Sequence, residues 1–127
     1  MKNKLYFYYG GFRGPFYEIL YKNKLFEISL GEVGSNETYY ISCPPKEKWD
    51  QFWLFLENNK IWEWNKKYID QNILDGTQWE IDFSNSVKKV KSYGSNKFPN
   101  KKEFKNLIIQ IENLFNFELK NIKSELT

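Results

Sequence analysis

The sequence predicts an α+β fold, with an antiparallel sheet of six or seven strands and two helices packed on one face. Three observations lead there. Apolar side chains alternate with their neighbours through the first third of the chain and again between residues 61 and 93. In two windows, 46–58 and 101–119, the apolar spacing changes to three and four residues. Short runs of Gly, Asn, Asp and Pro separate the alternating segments.

Taken in order, Leu5, Phe7 and Tyr9 alternate with Tyr6 and Tyr8, a strand with aromatic residues on both faces. Gly10-Gly11-Phe12-Arg13-Gly14-Pro15 is expected to break it. Residues 16–21 and 25–30 read as a hairpin about Lys22-Asn23-Lys24, followed by a loop over 31–36. Residues 38–42 form a strand with Tyr39 and Ile41 on one face and Tyr40 on the other. Trp49, Phe52, Trp53 and Leu56 then fall at helical spacing over 46–58, with Pro45 tolerated at the start because first-turn N–H groups lack partners. Residues 61–65 alternate again, placing Trp62 and Trp64 on one strand face. Asp75-Gly76 is a turn signal. Trp79, Ile81 and Phe83 alternate with Glu80 and Asp82, the clearest half-buried strand in the chain. A turn at 84–86 leads to a strand over 87–93, ended by Gly94-Ser95-Asn96. The last element is a helix of roughly 18 residues, about 27 Å long. Phe104, Leu107, Ile108, Ile111, Leu114, Phe115 and Leu119 form its apolar stripe. Asn100 and Glu103 have capping-box spacing, and Pro99 is placed to staple onto Phe104.

At 127 residues one domain covering 1–127 is expected. Five Trp, nine Tyr and eleven Phe set the chain apart from disordered sequences. The absence of His removes imidazole bases, His-based triads and His metal ligands. A lone Cys removes an internal disulfide framework and a multi-Cys zinc site. Neither a cofactor nor a metal is expected, and no catalytic residue is assigned. The net charge of +3 is too mild to demand a polyanionic partner. No stretch approaches the ~18 apolar residues of a membrane span, and the N-terminus lacks the ~7-residue apolar core of a signal peptide. A cytoplasmic protein is expected.

Several groups could carry function. Gly10, Gly11 and Gly14 around Arg13 could cradle an anion, although glycines also serve a kink between strands. Glu80 and Asp82 share a strand face roughly 7 Å apart, a spacing open to a carboxylate-based hydrolase or a hard cation, or simply to a solvated face. Cys43 sits just before a helix, where a thiolate is favoured, but without His the plainer reading is a small buried residue. Charge is split along the chain: residues 68–84 hold four acids and no Lys, whereas 86–105 hold seven Lys, including Lys88 and Lys89, against one Glu. Such a split can steer a protein partner, or Lys with nearby rings can bind nucleic acid. The strands carry more rings than one buried face can hold. Tyr6, Tyr8, Tyr40, Trp62 and Trp64 are therefore candidate exposed anchors for a protein, a single-stranded nucleic acid or a carbohydrate.

From Trp49 onward the spacing is familiar: Trp49-x-x-Phe52, Trp62-x-Trp64, Tyr68, Asp75-Gly76-Thr77-Gln78-Trp79-Glu80, Gly94-Ser95-Asn96-x-Phe98-Pro99 and Phe104-x-x-Leu107. Over roughly residues 49–115 this resembles small bacterial single-domain proteins of unassigned activity with a D-G-T-x-W strand and a G-S-N-x-aromatic-P helix start. The resemblance implies no catalytic residue. It points by analogy to toxin-neutralising immunity proteins and to phage inhibitors of similar size. The expected function is a non-enzymatic protein-binding module acting through an aromatic sheet face. Binding of single-stranded nucleic acid or carbohydrate, and a hydrolase using Glu80 and Asp82, are the alternatives. The oligomeric state stays open, although an exposed aromatic strand invites self-pairing.

Overall fold

A computed structural model describes residues 3–11, 15–32, 34–72 and 76–119. Seven strands form one sheet: β1 (Lys4–Gly11), β2 (Phe16–Lys22), β3 (Leu25–Glu32), β4 (Ser35–Ser42), β5 (Lys67–Ile69), β6 (Thr77–Ser84) and β7 (Lys89–Ser95). Their spatial order is β4-β3-β2-β1-β6-β7-β5. Every neighbouring pair is antiparallel except β5 with β7, so the sheet is mixed. The expected all-antiparallel sheet is corrected at this one pair. Two helices, α1 (Lys46–Asn58) and α2 (Lys101–Phe115), complete the α+β fold.

The strand turns follow backbone chemistry. Asn23 and Lys24 join β2 to β3 with φ of 53° and 64°, the two left-handed residues of a type I′ hairpin. Glu32 of β3 pairs with Ser35 of β4, with only two residues between them in sequence. The expected 31–36 loop is therefore mostly strand. Gly31 allows it, because a Cβ there would run into the Ser35 carbonyl of the paired strand. Gly10 and Gly11 likewise continue β1, pairing with Gln78 and Thr77. The Arg13 cradle, with Phe12 and Gly14, lies outside the described residues, as does Asp75 of the D-G turn.

Parity separates the two faces of the sheet. Leu5, Phe7, Tyr9, Tyr17, Ile19, Phe26, Ile28, Trp79, Ile81, Phe83 and Val90 are buried. Rings from the helices meet this set. On α1, Trp49 stacks on Phe26 at 5.7 Å and Phe52 meets Phe83 edge-on at 5.5 Å. On α2, Phe104 lies 6.2 Å from Phe7 and 5.0 Å from Trp79, and Phe115 lies 5.1 Å from Phe26. Truncating a fully buried ring such as Phe104 to Ala costs roughly 3–5 kcal/mol.

The G-T-x-W and G-S-N-x-F-P segments interlock. Trp79 of β6 donates its indole N–H to the Lys97 carbonyl at 2.8 Å. It passes over Gly94, where a Cβ would strike the indole. A Cβ on Gly76 would strike the Asn96 side chain, and Asn96 itself is left-handed at φ 60°. Phe98 stacks on Trp79 at 6.2 Å and meets Phe104 edge-on at 4.8 Å. The two motifs thus build one joint between β6, β7 and the start of α2. Asn100 caps that helix by accepting the Glu103 N–H at 3.0 Å. The helix ends at left-handed Asn116, earlier than its apolar stripe suggested, yet Leu119 beyond it is fully buried.

Candidate binding face

Apart from Gly10, the opposite parity of the sheet is half-buried or exposed, and its centre lies on β1. Across the strands, Tyr6 is opposite Leu20 of β2 and Asp82 of β6. Tyr8 is opposite Glu18 of β2 and Glu80 of β6. Leu20 is opposite Glu27 of β3, which is opposite Tyr40 of β4. Two tyrosine rings therefore stand among three carboxylates, Glu18, Glu80 and Asp82, with Glu27 farther out beside Tyr40. Gly10 makes room for this arrangement, since a Cβ there would meet the Tyr8 hydroxyl and Phe16.

Hydrogen bonds hold the centre. The Tyr6 hydroxyl donates to Glu18 Oε2 at 2.8 Å. Lys4 Nζ donates to Asp82 Oδ2 at 2.8 Å. Burial raises the Tyr6 hydroxyl well above the usual phenol range. The bond to Glu18, and the negative charges of Glu18 and Glu80, push it the same way. Carboxylates of Glu18, Glu80 and Asp82 thus flank Tyr6, with Lys4 paired to Asp82. A basic rim follows on β7 and β5: Lys91 is opposite Asp82, Lys89 is exposed, and Lys67 is opposite Tyr93, itself opposite Glu80.

Of the rings expected on this face, Tyr6, Tyr8 and Tyr40 are there, and Tyr40 is 65% exposed. Trp62 and Trp64 are not, which corrects the expected 61–65 strand. Ile61–Glu63 is a 3-10 turn entered through left-handed Lys60. Trp62 stacks on Trp53 of α1 at 5.7 Å, and Trp64 stacks on Phe104 of α2 at 6.3 Å. Their alternation reflects two separate core contacts. Lys88 also leaves the face, with its ammonium 2.8 Å from Glu57 Oε2 of α1. Cys43 is exposed, not the small buried residue of the plainer reading, and its sulfur lies 3.2 Å from the Tyr21 hydroxyl. That bond, together with burial as the larger effect, pushes the Tyr21 hydroxyl up to about 12.

Sequence reasoning missed Glu18, Leu20 and Glu27, although alternation with Tyr17, Ile19 and Phe26 already placed them on this face. Glu80 and Asp82 do project from one strand face. The clefts at Glu112–Glu118 and between Ile69 and Lys97 are lined by other residues. Among the described residues no cluster of three or more His, Cys, Asp or Glu is arranged to hold a metal ion. No helix among them is long and apolar enough to cross a membrane. No protein-family model matches the chain, and no curated protein matches it.

Proposed function

We propose that this chain is a non-enzymatic protein-binding module, an inhibitor of the immunity or phage type, whose Tyr6/Tyr8 sheet face docks a cationic surface of a partner protein. The observation that carries the reading is the placement of these two rings among Glu18, Glu80 and Asp82. Half-buried tyrosines supply apolar contact area with few rotamers to freeze. Carboxylates beside them attract Lys and Arg, and repel phosphate. The reading takes both helices on the other sheet face, as supported by the rings of Phe52, Phe104 and Phe115 against buried strand residues.

Affinity purification at low ionic strength tests it, with a Tyr8→Ala, Glu80→Lys double variant as comparison. A stoichiometric protein retained by the wild type and absent from the folded variant is expected. Equal capture by both, or none by either, overturns the reading. One observation favours a second reading, single-stranded nucleic acid at the rim, where Lys67 is opposite Tyr93 and Lys91 and Lys89 follow on the same face of β7. Oligonucleotide binding lost on replacing Lys89 and Lys91 would select it.

A further inference from the structure

We propose that the outer edge of β4 pairs antiparallel, about a two-fold axis, with the same edge of a second copy of this chain. The inference is independent of the partner that docks on the Tyr6/Tyr8 face. Strand β4 is the end of the sheet, and among the described residues nothing pairs with its outer side. Residues 35–40 are all exposed, including Tyr39 and Tyr40. Open edges of this kind are usually guarded by Lys, Pro, a bulge or shortness. The opposite edge is guarded, because β5 has three residues and begins with Lys67. β4 carries a single charge, Glu37, and none of those devices. Its eight residues contain neither Lys nor Pro, and they pair one for one with β3, without a bulge.

The free groups match their own copy. In a two-residue hairpin the residues that flank the link form a hydrogen-bonded pair, and bonded pairs then alternate. Ser35, Glu37, Tyr39 and Ile41 therefore bond inward to β3. The close Ser29–Thr38 hydroxyl contact at 3.3 Å fits the non-bonded positions between them. The N–H and C=O groups of Asn36, Thr38, Tyr40 and Ser42 point outward. An antiparallel pairing centred on Tyr39 puts Thr38 opposite Tyr40 of the copy and Asn36 opposite Ser42, so all four residues on each strand are satisfied.

Charge favours the same register. Glu37 is the only charged residue of β4, and the Tyr39 hydroxyl donates to it. The two Glu37 side chains would stand four residues apart along the strand, roughly 13 Å. That exceeds the ~8 Å over which salt screens exposed charges. The exposed Lys22 and Lys24 lie at the Ser42 end of the edge, because Lys22 pairs with Leu25, which pairs with Ser42. In the pairing, that end meets the Glu37 end of the copy. The pairing thus brings no like charges close together across the axis.

Sedimentation of the full chain from micromolar to millimolar concentration, with amide exchange at each point, tests the pairing. A concentration-dependent dimer is expected. The amides of Asn36, Thr38, Tyr40 and Ser42 should gain protection with concentration, while those of Glu37, Tyr39 and Ile41 stay unchanged. Thr38→Pro removes an outward N–H without touching the β3 ladder, and Tyr40→Lys adds an edge charge. Each variant should fold by circular dichroism and weaken dimerisation by at least about tenfold. Should Thr38→Pro fail to fold, Tyr40→Lys and the exchange pattern decide. A wild type that stays monomeric throughout, or a dimer whose outward β4 amides exchange freely, overturns the proposal.

Discussion

The Tyr6 hydroxyl donates to Glu18 Oε2 at 2.8 Å, diagonally across the β1–β2 pair. The bond locks a ring and a carboxylate together at the centre of the sheet face opposite the buried core. It needs the phenol protonated, and the nearby charge of Glu80 further discourages ionisation there.

The first prediction concerns alkaline pH. Burial, then the Glu18 bond and nearby charge, raise the Tyr6 hydroxyl in the folded state, and burial with the Cys43 contact raises that of Tyr21 to about 12. The folded chain therefore holds these protons more tightly than the unfolded chain. Their contribution to stability is complete below about pH 10, the unfolded phenol value, and is lost as pH rises above it. Urea unfolding should show stability falling above that pH, with a shallower fall in Tyr6→Phe. An identical slope in the variant would remove Tyr6 from the account.

Gly10→Ala should act on the site more than on the fold. The added Cβ would meet the Tyr8 hydroxyl, the far end of a half-buried ring that can move, and the Phe16 Cβ, which is fixed to the β2 backbone. A stability loss of about 1 kcal/mol is expected from such overpacking. Partner affinity should fall more steeply, because Tyr8 would leave its place between Glu18 and Glu80. Unchanged affinity in titration calorimetry would contradict this.

Gly94→Ala should act on the fold. Its Cβ would enter the space of the Trp79 indole, whose N–H bond to Lys97 ties β6 to the start of α2. Overpacking and a stranded indole N–H each cost roughly 1–3 kcal/mol. A denaturation midpoint close to wild type would show that the joint can relax.

Glu112 gives a test at the other end of α2. Its carboxylate, in a residue 8% exposed, accepts the Leu119 N–H at 2.6 Å and holds the chain beyond the helix against the core. Glu112→Ala leaves that N–H buried and unpaired, at roughly 1–3 kcal/mol, and Glu112→Gln keeps an acceptor and should cost less. Amide exchange at Leu119 should quicken in the Ala variant first. Equal exchange in both variants would mean that burial of Leu119 alone holds the segment.

Much of the fold is legible in local pattern. The β6 strand follows from Trp79, Ile81 and Phe83, and α1 from Trp49, Phe52 and Leu56, because each segment's own period matches its burial. The failures arise where contacts far along the chain decide. Trp62 and Trp64 alternate like a strand, yet stacking on α1 and α2 draws the pair into a turn. The three residues of β5 have no period to read, and only their parallel pairing with β7 makes them a strand. On the site, Tyr6, Tyr8, Tyr40, Glu80 and Asp82 were legible because strand parity assigns a face. Alternation also puts Glu18 and Glu27 on this face, but which rings they stand beside depends on the strand order β3-β2-β1-β6, which no local spacing encodes.

Docking of a cationic partner on the Tyr6/Tyr8 face is measured by the partner's dissociation constant against folded charge variants at two salt concentrations. Glu80→Lys is predicted to weaken binding by about tenfold or more, Lys89→Glu to leave it equal or tighter, and added salt to weaken the wild type. Affinity untouched by Glu80→Lys, or strengthened by it, would contradict the account.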